Sequence, residues 1–357
     1  MNRISNIQYL RALAVISVLL YHIKAVNLKY FPSIEMGDYF SNGSGGVDLF
    51  FVISGFIISY IGRDYKPSLD VAIKFLVKRF FRIYPVYWIY SSVVLVIYLL
   101  YPSMVNSSQG GDVNIIYSFL LIPHDLLPLL MVGWSLSYEV YFYIIFFVLI
   151  LILPWSFHRY FYFLYVIVIL LNIYYSRVDY TEGFILNPFM IDFVLGTFCS
   201  NIYNDKINNS WRISSFIFPI VTIFFIVLLF YSFNYKSHNS NFIRIIYFGL
   251  PSFVLVMIAL FFEFKNNLST KSYVLKLSEK IGDWSYSIYL SHILVINAIA
   301  IVFVRVFNMN SVINSILLVI LMVVGSVLTG ALSYKILEQR MCNLIYAKFR
   351  KKISNEN

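Results

Sequence analysis

Among the titratable side chains inside long apolar stretches of this sequence, five draw attention: Arg11, His22, Asp48, Glu139 and His292. A charged group placed there costs about 2.5–3.5 kcal/mol to insert into a bilayer, so each asks for a partner or a task. His22 is the candidate general base, since imidazole is the side chain that exchanges protons near neutral pH. Arg11 precedes it by eleven positions, which at 100° per residue puts both on one helix face, roughly 16 Å apart. Asp48, in Gly46-Val47-Asp48-Leu49, and Glu139, in Trp134-Ser135-Leu136-Ser137-Tyr138-Glu139, open stretches that enter from the side where the His22 stretch ends. A carboxylate at that depth would hold the imidazole tautomer and raise its basicity, so His22, Asp48 and Glu139 are expected to meet near one face. Taken singly, each has a plainer use: Arg11 and His22 as snorkelling residues, the carboxylates as helix caps or hydrogen-bond acceptors. His292 is expected near mid-membrane as a hydrogen-bonded interhelical residue.

A second chemistry lies in Lys78-Arg79-Phe80-Phe81-Arg82. Arg79 and Arg82 are spaced i, i+3, adjoining positions on a helix that can clamp a phosphate in two-point fashion. Basic residues at a helix end are also ordinary membrane anchors, and spacing alone favours that use.

The elements that must position these residues are membrane helices. Of the 357 residues 60% are apolar and 12% charged, and the mean hydropathy is +0.77. A water-soluble domain carries about twice that share of charge. Apolar stretches of spanning length cover 7–23, 45–61, 83–101, 134–153, 160–175, 185–202, 214–233, 243–262, 284–304 and 312–334. The expected fold is thus an all-α integral membrane protein, a bundle of about ten transmembrane helices with both termini on one side. Alternating the stretches across a bilayer sends twenty Lys and Arg residues to the side of the termini and six to the other, which makes the termini cytoplasmic. The +10 net charge is therefore read as topology, with no nucleic-acid partner expected. One domain is expected over 1–345, with a basic cytoplasmic tail over 346–357. The loop 102–133 contains Pro102, Pro123 and Pro128, has no Lys or Arg, and is expected to dip back into the membrane near 115–122. The first stretch, carrying Arg11 and His22 with no small-residue cleavage pattern after it, is expected to stay in the mature protein. The cysteines, Cys199 and Cys342, indicate no redox chemistry, and no metal is expected.

Together these residues resemble the membrane acyltransferase-3 family, bacterial integral-membrane enzymes that move acyl groups, usually acetyl, onto surface glycans. The likeness runs through Arg11 and His22, the Gly46-to-Phe56 stretch Gly-Val-Asp-Leu-Phe-Phe-x-x-Ser-Gly-Phe, Arg79-x-x-Arg82, Trp134-Ser135-Leu136-x-x-Glu139, and Ser285-Tyr286-Ser287-x-Tyr289-Leu290-x-His292. It implies acetyl-CoA as cytoplasmic donor, bound through Lys78, Arg79 and Arg82. It also implies a catalytic set of His22, Arg11, Glu139 and Asp48, with Trp134, Ser135, Tyr286 and His292 as substrate or structural support. The implied acceptor is a polysaccharide hydroxyl of an O-antigen, capsule or similar glycan precursor, polyprenyl-linked, in the bacterial inner membrane. His22 would act as base, or carry acetyl itself as an acyl-imidazole. The family often ends its last span in Glu-x-Pro, whereas Glu338-Gln339-Arg340-Met341 here lacks the proline. A polytopic transporter or flippase is the rival class, since intramembrane Arg, His, Asp and Glu also mark transport paths, although no inverted repeat is visible.

Overall fold

The computed structural model describes residues 4–30, 38–106, 111–175, 184–208, 241–265, 272–306 and 312–341, and the regular elements among them are all helical. In chain order they are α1 (Ser5–Tyr30), α2 (Gly46–Gly62), α3 (Leu69–Leu100), α4 (Ile115–Leu120), α5 (Gly133–Ile152), α6 (Trp155–Tyr175), α7 (Phe189–Asn208), α8 (Leu250–Lys265), α9 (Tyr273–Val306) and α10 (Val312–Ser333). A 3₁₀ segment, Asp38–Gly45, leads into α2; a π segment, Ile245–Gly249, leads into α8; another, Tyr334–Glu338, continues α10. Among the described residues seven helical stretches are long and apolar enough to cross a membrane, and the apolar parts of α6 and α7 are shorter, Trp155–Leu171 and Phe189–Tyr203. The expected span at 214–233, Cys342 and the tail 346–357 lie outside the described residues.

Side-chain contacts fix how the helices run relative to one another. Ser5 Oγ donates to Glu279 Oε1 at 3.3 Å and Asn6 Nδ2 to the Ala259 carbonyl at 2.8 Å, so α1 and α9 begin where α8 ends. Asp48 lies by Asp192, Phe51 stacks on Phe193, and Phe56 meets Tyr203, so α2 and α7 run parallel. Phe51 meets Tyr138 and Gly62 meets Phe146, so α5 runs with them. Glu338 bonds Ser287 and Arg82, which brings the end of α10 to the end of the bundle where α1 begins.

The α2–α7 crossing is made backbone to backbone. A Cβ at Gly55 would lie 2.0 Å from the Phe193 carbonyl oxygen, and one at Gly196 would lie 2.0 Å from that of Val52. Only glycine permits that approach, and in lipid, where apolar burial drives little helix association, such contact is the main source of packing.

Two helices begin more than ten positions before their apolar stretches. The third begins at Leu69 rather than at 83, and the ninth at Tyr273 rather than at 284. Hydropathy ends where charge begins, but helix does not: the α3 extension buries Ala72 and Phe75 and carries an Asp70–Lys74 pair at 2.7 Å on its exposed side. The helix also continues through Pro85, which leaves the Phe81 carbonyl without its i+4 donor.

The loop 102–133 folds back along α3. Asn114 caps α4 by accepting the Tyr117 N–H at 3.0 Å, and Leu121 ends it at φ +56°. Tyr84, Tyr87 and Trp88 of α3 donate to the carbonyls of Leu120, Ser118 and Phe119 at 3.0, 2.6 and 2.8 Å. Those α3 residues lie 12 to 16 positions before Leu100, so α4 sits roughly 18–24 Å below the far end of α3. Backbone polar groups at that depth need protein partners, and these three side chains supply them.

Candidate active site

The returning loop decides where the site lies. Because it descends so far, α5 starts deep in the bundle, with Gly133 against the Tyr87 hydroxyl. Glu139 is six positions further along and reaches the level of the basic end of α3, where it accepts from Ser54 Oγ at 3.1 Å and from the Tyr143 hydroxyl. Ser135, Glu139 and Tyr143, spaced four apart, form one stripe facing a cavity of about 360 Å³.

Three guanidinium groups face the same cavity. Arg79 and Arg82 project from α3 and Arg11 from α1. Arg79 lies over the rings of Phe75 and Tyr143, 5.5 and 5.4 Å from their centroids. Arg82 pairs with Glu338, lies 5.7 Å from the Tyr286 ring centroid, and so joins α3, α9 and the end of α10. Arg11 Nη1 donates to Gln8 Oε1 at 3.4 Å. From α9, Ser285, Tyr286 and Tyr289 complete the wall. Tyr286 donates to the Ile83 carbonyl at 2.7 Å, and Tyr289 shares a 2.7 Å hydrogen bond with Ser135. The Ser285 hydroxyl is buried with no hydrogen-bond partner among the described residues.

The structure therefore brings together Arg11, Arg79, Arg82, Glu139, Ser135 and Tyr286, and leaves the other expected site residues outside the cavity. Lys78 is exposed, one position and about 100° round the helix from Arg79. Trp134 packs on Tyr138 and Phe189. Asp48, fully buried at the start of α2, is held by Arg244, whose Nε and Nη2 donate to its two carboxylate oxygens at 3.2 and 2.7 Å. Phe189 and Phe248 flank that guanidinium. The expected meeting of His22, Asp48 and Glu139 is thus not found. Glu139 bonds Ser54, six positions and about 9 Å further along α2 than Asp48, because α5 begins deep rather than at the membrane surface. Neither carboxylate makes a described contact with His22.

His22 instead faces His292, with ring centroids 5.1 Å apart and planes at 49°. His292 is buried, its Nδ1 3.2 Å from the Ile288 carbonyl, and its ring is 5.7 Å from that of Tyr289. The interhelical placement expected for His292 is present, with an imidazole as its neighbour on α1.

Glu338, Arg244 and Asp192 are charged residues of these clusters to which the sequence alone assigns no site role. Glu338 follows an apolar stretch yet is 2% exposed, and its weak signal was the incomplete Glu-x-Pro ending. Arg244 reads as a loop cation until its partner Asp48 is seen.

Comparison with known proteins gives two matches. A family described as "Acyltransferase domain" matches residues 4–334. The "Exopolysaccharide production protein ExoZ" of Rhizobium meliloti (strain 1021) is 34% identical over 122 residues, which cover 31% of this chain and 36% of that protein. The chain thus matches about a third of that relative's length. No solved structure matches it.

Proposed function

This chain belongs to the acyltransferase-3 family, and from that premise we propose that it is a multi-pass inner-membrane O-acetyltransferase that moves acetyl from cytoplasmic acetyl-CoA to a hydroxyl of a cell-surface polysaccharide. The observation that carries the reading is the convergence of Arg11, Arg79 and Arg82 on one cavity. Three guanidiniums against the Glu139 carboxylate suit an anionic ligand, and the phosphates of the donor are such a ligand. The cavity lies toward the end of the bundle where α1 begins, and the distribution of Lys and Arg supports reading that end as cytoplasmic. The likeness to an exopolysaccharide production protein supports a glycan acceptor, and a polyprenyl lipid is the carrier we propose for it.

In this reading the donor's anionic end rests among the arginines and its thioester arm extends outward along α1, past Tyr289, toward His22. His22 takes the proton of the acceptor hydroxyl; the oxygen attacks the thioester carbonyl; the C–O bond forms as the C–S bond breaks; and the proton passes to the departing sulfur to give the thiol. Arg11 stabilises charge on the donor. Glu139 holds the arginine face in place, since the Tyr143 hydroxyl bonds it while the Tyr143 ring lies under Arg79. Asp48 acts through Arg244, as a strut.

Radiolabelled acetyl-CoA, purified protein and host surface glycan provide the test. Labelled glycan that disappears with His22→Ala is the expected result. A transporter would give no labelled product, and retained labelling by the variant would remove His22 from the reaction.

A further inference from the structure

A base of this kind needs something to hold its second ring nitrogen, and both carboxylates expected to do so are engaged elsewhere: Asp48 by Arg244, Glu139 by Ser54 and Tyr143. The rings beside His22 among the described contacts are those of Tyr21, its neighbour in the chain, and His292, which comes from α9. The chemistry of His292 is constrained. A carbonyl can only accept, so the 3.2 Å contact between Nδ1 and the Ile288 oxygen places the proton on Nδ1. In the neutral ring Nε2 is then a bare acceptor, and it is buried with no hydrogen-bond partner among the described residues. A buried acceptor without a donor is expensive, and the adjacent ring carries one.

We propose that His292 is the positioning residue for His22: its Nε2 accepts the His22 N–H and leaves the other His22 nitrogen as the lone pair that faces the acceptor hydroxyl. The role is the one a carboxylate plays in a catalytic triad, filled here by a second imidazole. The scaffold suits it. The i, i−4 bond to Ile288 fixes the His292 ring to its own helix, and α1 lies close enough to α9 that a Cβ on Gly282 would fall 2.1 Å from the Gln8 carbonyl oxygen. Tyr289, which touches His292 and lines the cavity, ties the pair to the donor site.

The inference rests on His22 being the base, and the test separates the two. Full-length protein labelled with ¹⁵N-histidine in phospholipid bilayers reports the tautomer of each ring, while acetyl transfer to host glycan reports kcat and KM. The expected results are a single hydrogen-bonded tautomer for His22, lost in His292→Phe. That variant should lose roughly 10- to 100-fold in kcat with KM for acetyl-CoA within about twofold, and His292→Gln, whose amide oxygen can accept, should recover much of the loss. Mixed tautomers of His22 in the unsubstituted protein would overturn the proposal even if His292→Phe fails to fold. So would a His292→Phe protein with unchanged kcat, or one with lowered kcat and an unchanged His22 tautomer. Full activity in His22→Ala would instead remove the base assignment and overturn the positioning role with it, whereas an inactive His22→Ala beside a His292→Phe of unchanged kcat overturns the positioning role alone.

Discussion

Arg82 and Glu338 lie 256 positions apart in the chain and form an ion pair at the wall of the cavity. The carboxylate is buried and also accepts from Ser287 at 2.7 Å, so α3, α9 and the end of α10 meet on one side chain. Glu338→Ala removes the acceptor that both donors share and is expected to lower stability by about 1–3 kcal/mol. Glu338→Gln keeps an acceptor for Ser287 and should lose less. Thermal unfolding of the detergent-solubilised protein checks both, and equal midpoints for all three proteins would show that the junction holds nothing.

Arg79 and Lys78 are adjacent in sequence and opposite in placement, one lining the cavity and the other exposed. If the cavity takes the donor's phosphates, Arg79→Ala removes a charge-assisted contact and weakens coenzyme A binding by roughly 10- to 100-fold. Lys78→Ala should change it by less than about twofold. Titration calorimetry with coenzyme A decides; similar losses in both variants would mean that the positive field matters and the clamp does not.

The Asp48–Arg244 pair is closed to solvent, the two side chains being 0% and 13% exposed. Removing the cation leaves the fully buried Asp48 carboxylate without it, beside that of Asp192, so Arg244→Met is expected to destabilise by about 3–5 kcal/mol. Replacing both, Asp48→Leu with Arg244→Met, should be milder than the single change. A double-mutant cycle on unfolding midpoints measures the coupling, and additive effects would dissolve the pair as a unit.

Ser118 secures the returning loop, donating to the Asn114 carbonyl at 2.6 Å and accepting the Leu129 N–H at 2.8 Å. Ser118→Ala leaves the buried Leu129 amide unsatisfied, a loss of about 1–3 kcal/mol felt first in the loop. Hydrogen exchange should show faster labelling across 114–133 than in α2 or α9. Unchanged protection would show that the Tyr84, Tyr87 and Trp88 bonds suffice alone.

The spans were legible because a bilayer imposes one rule, a run of apolar residues, and residues 7–23 or 134–153 obey it without help from tertiary contacts. The returning loop was legible too, from its prolines and its lack of cations. Its depth was not, since that is set by the hydroxyls of Tyr84 and Tyr87, which look like interfacial aromatics in sequence. Glu139 is accordingly found with Ser54 and Tyr143, a level that counting residues from an assumed surface does not reach. Arg11, Arg79 and Arg82 could be picked out singly, yet nothing local says that α1 and α3 turn them toward one space. Likewise His292 was visible as a buried polar residue, while its facing neighbour depends on how α1 lies along α9.

The crossing of Gly55 and Gly196 has a consequence for divergence. Most contacts in this bundle are between aromatic and aliphatic groups, where a change on one helix can be offset by a complementary change on the other. At this crossing the opposing atoms are peptide oxygens of Phe193 and Val52, which every amino acid presents alike. No second-site suppressor at positions 193 or 52 can make room for a methyl group at 55 or 196. The two helices can drift in their rings and branches, but they are pinned to one another at a point that selection has no alternative way to build.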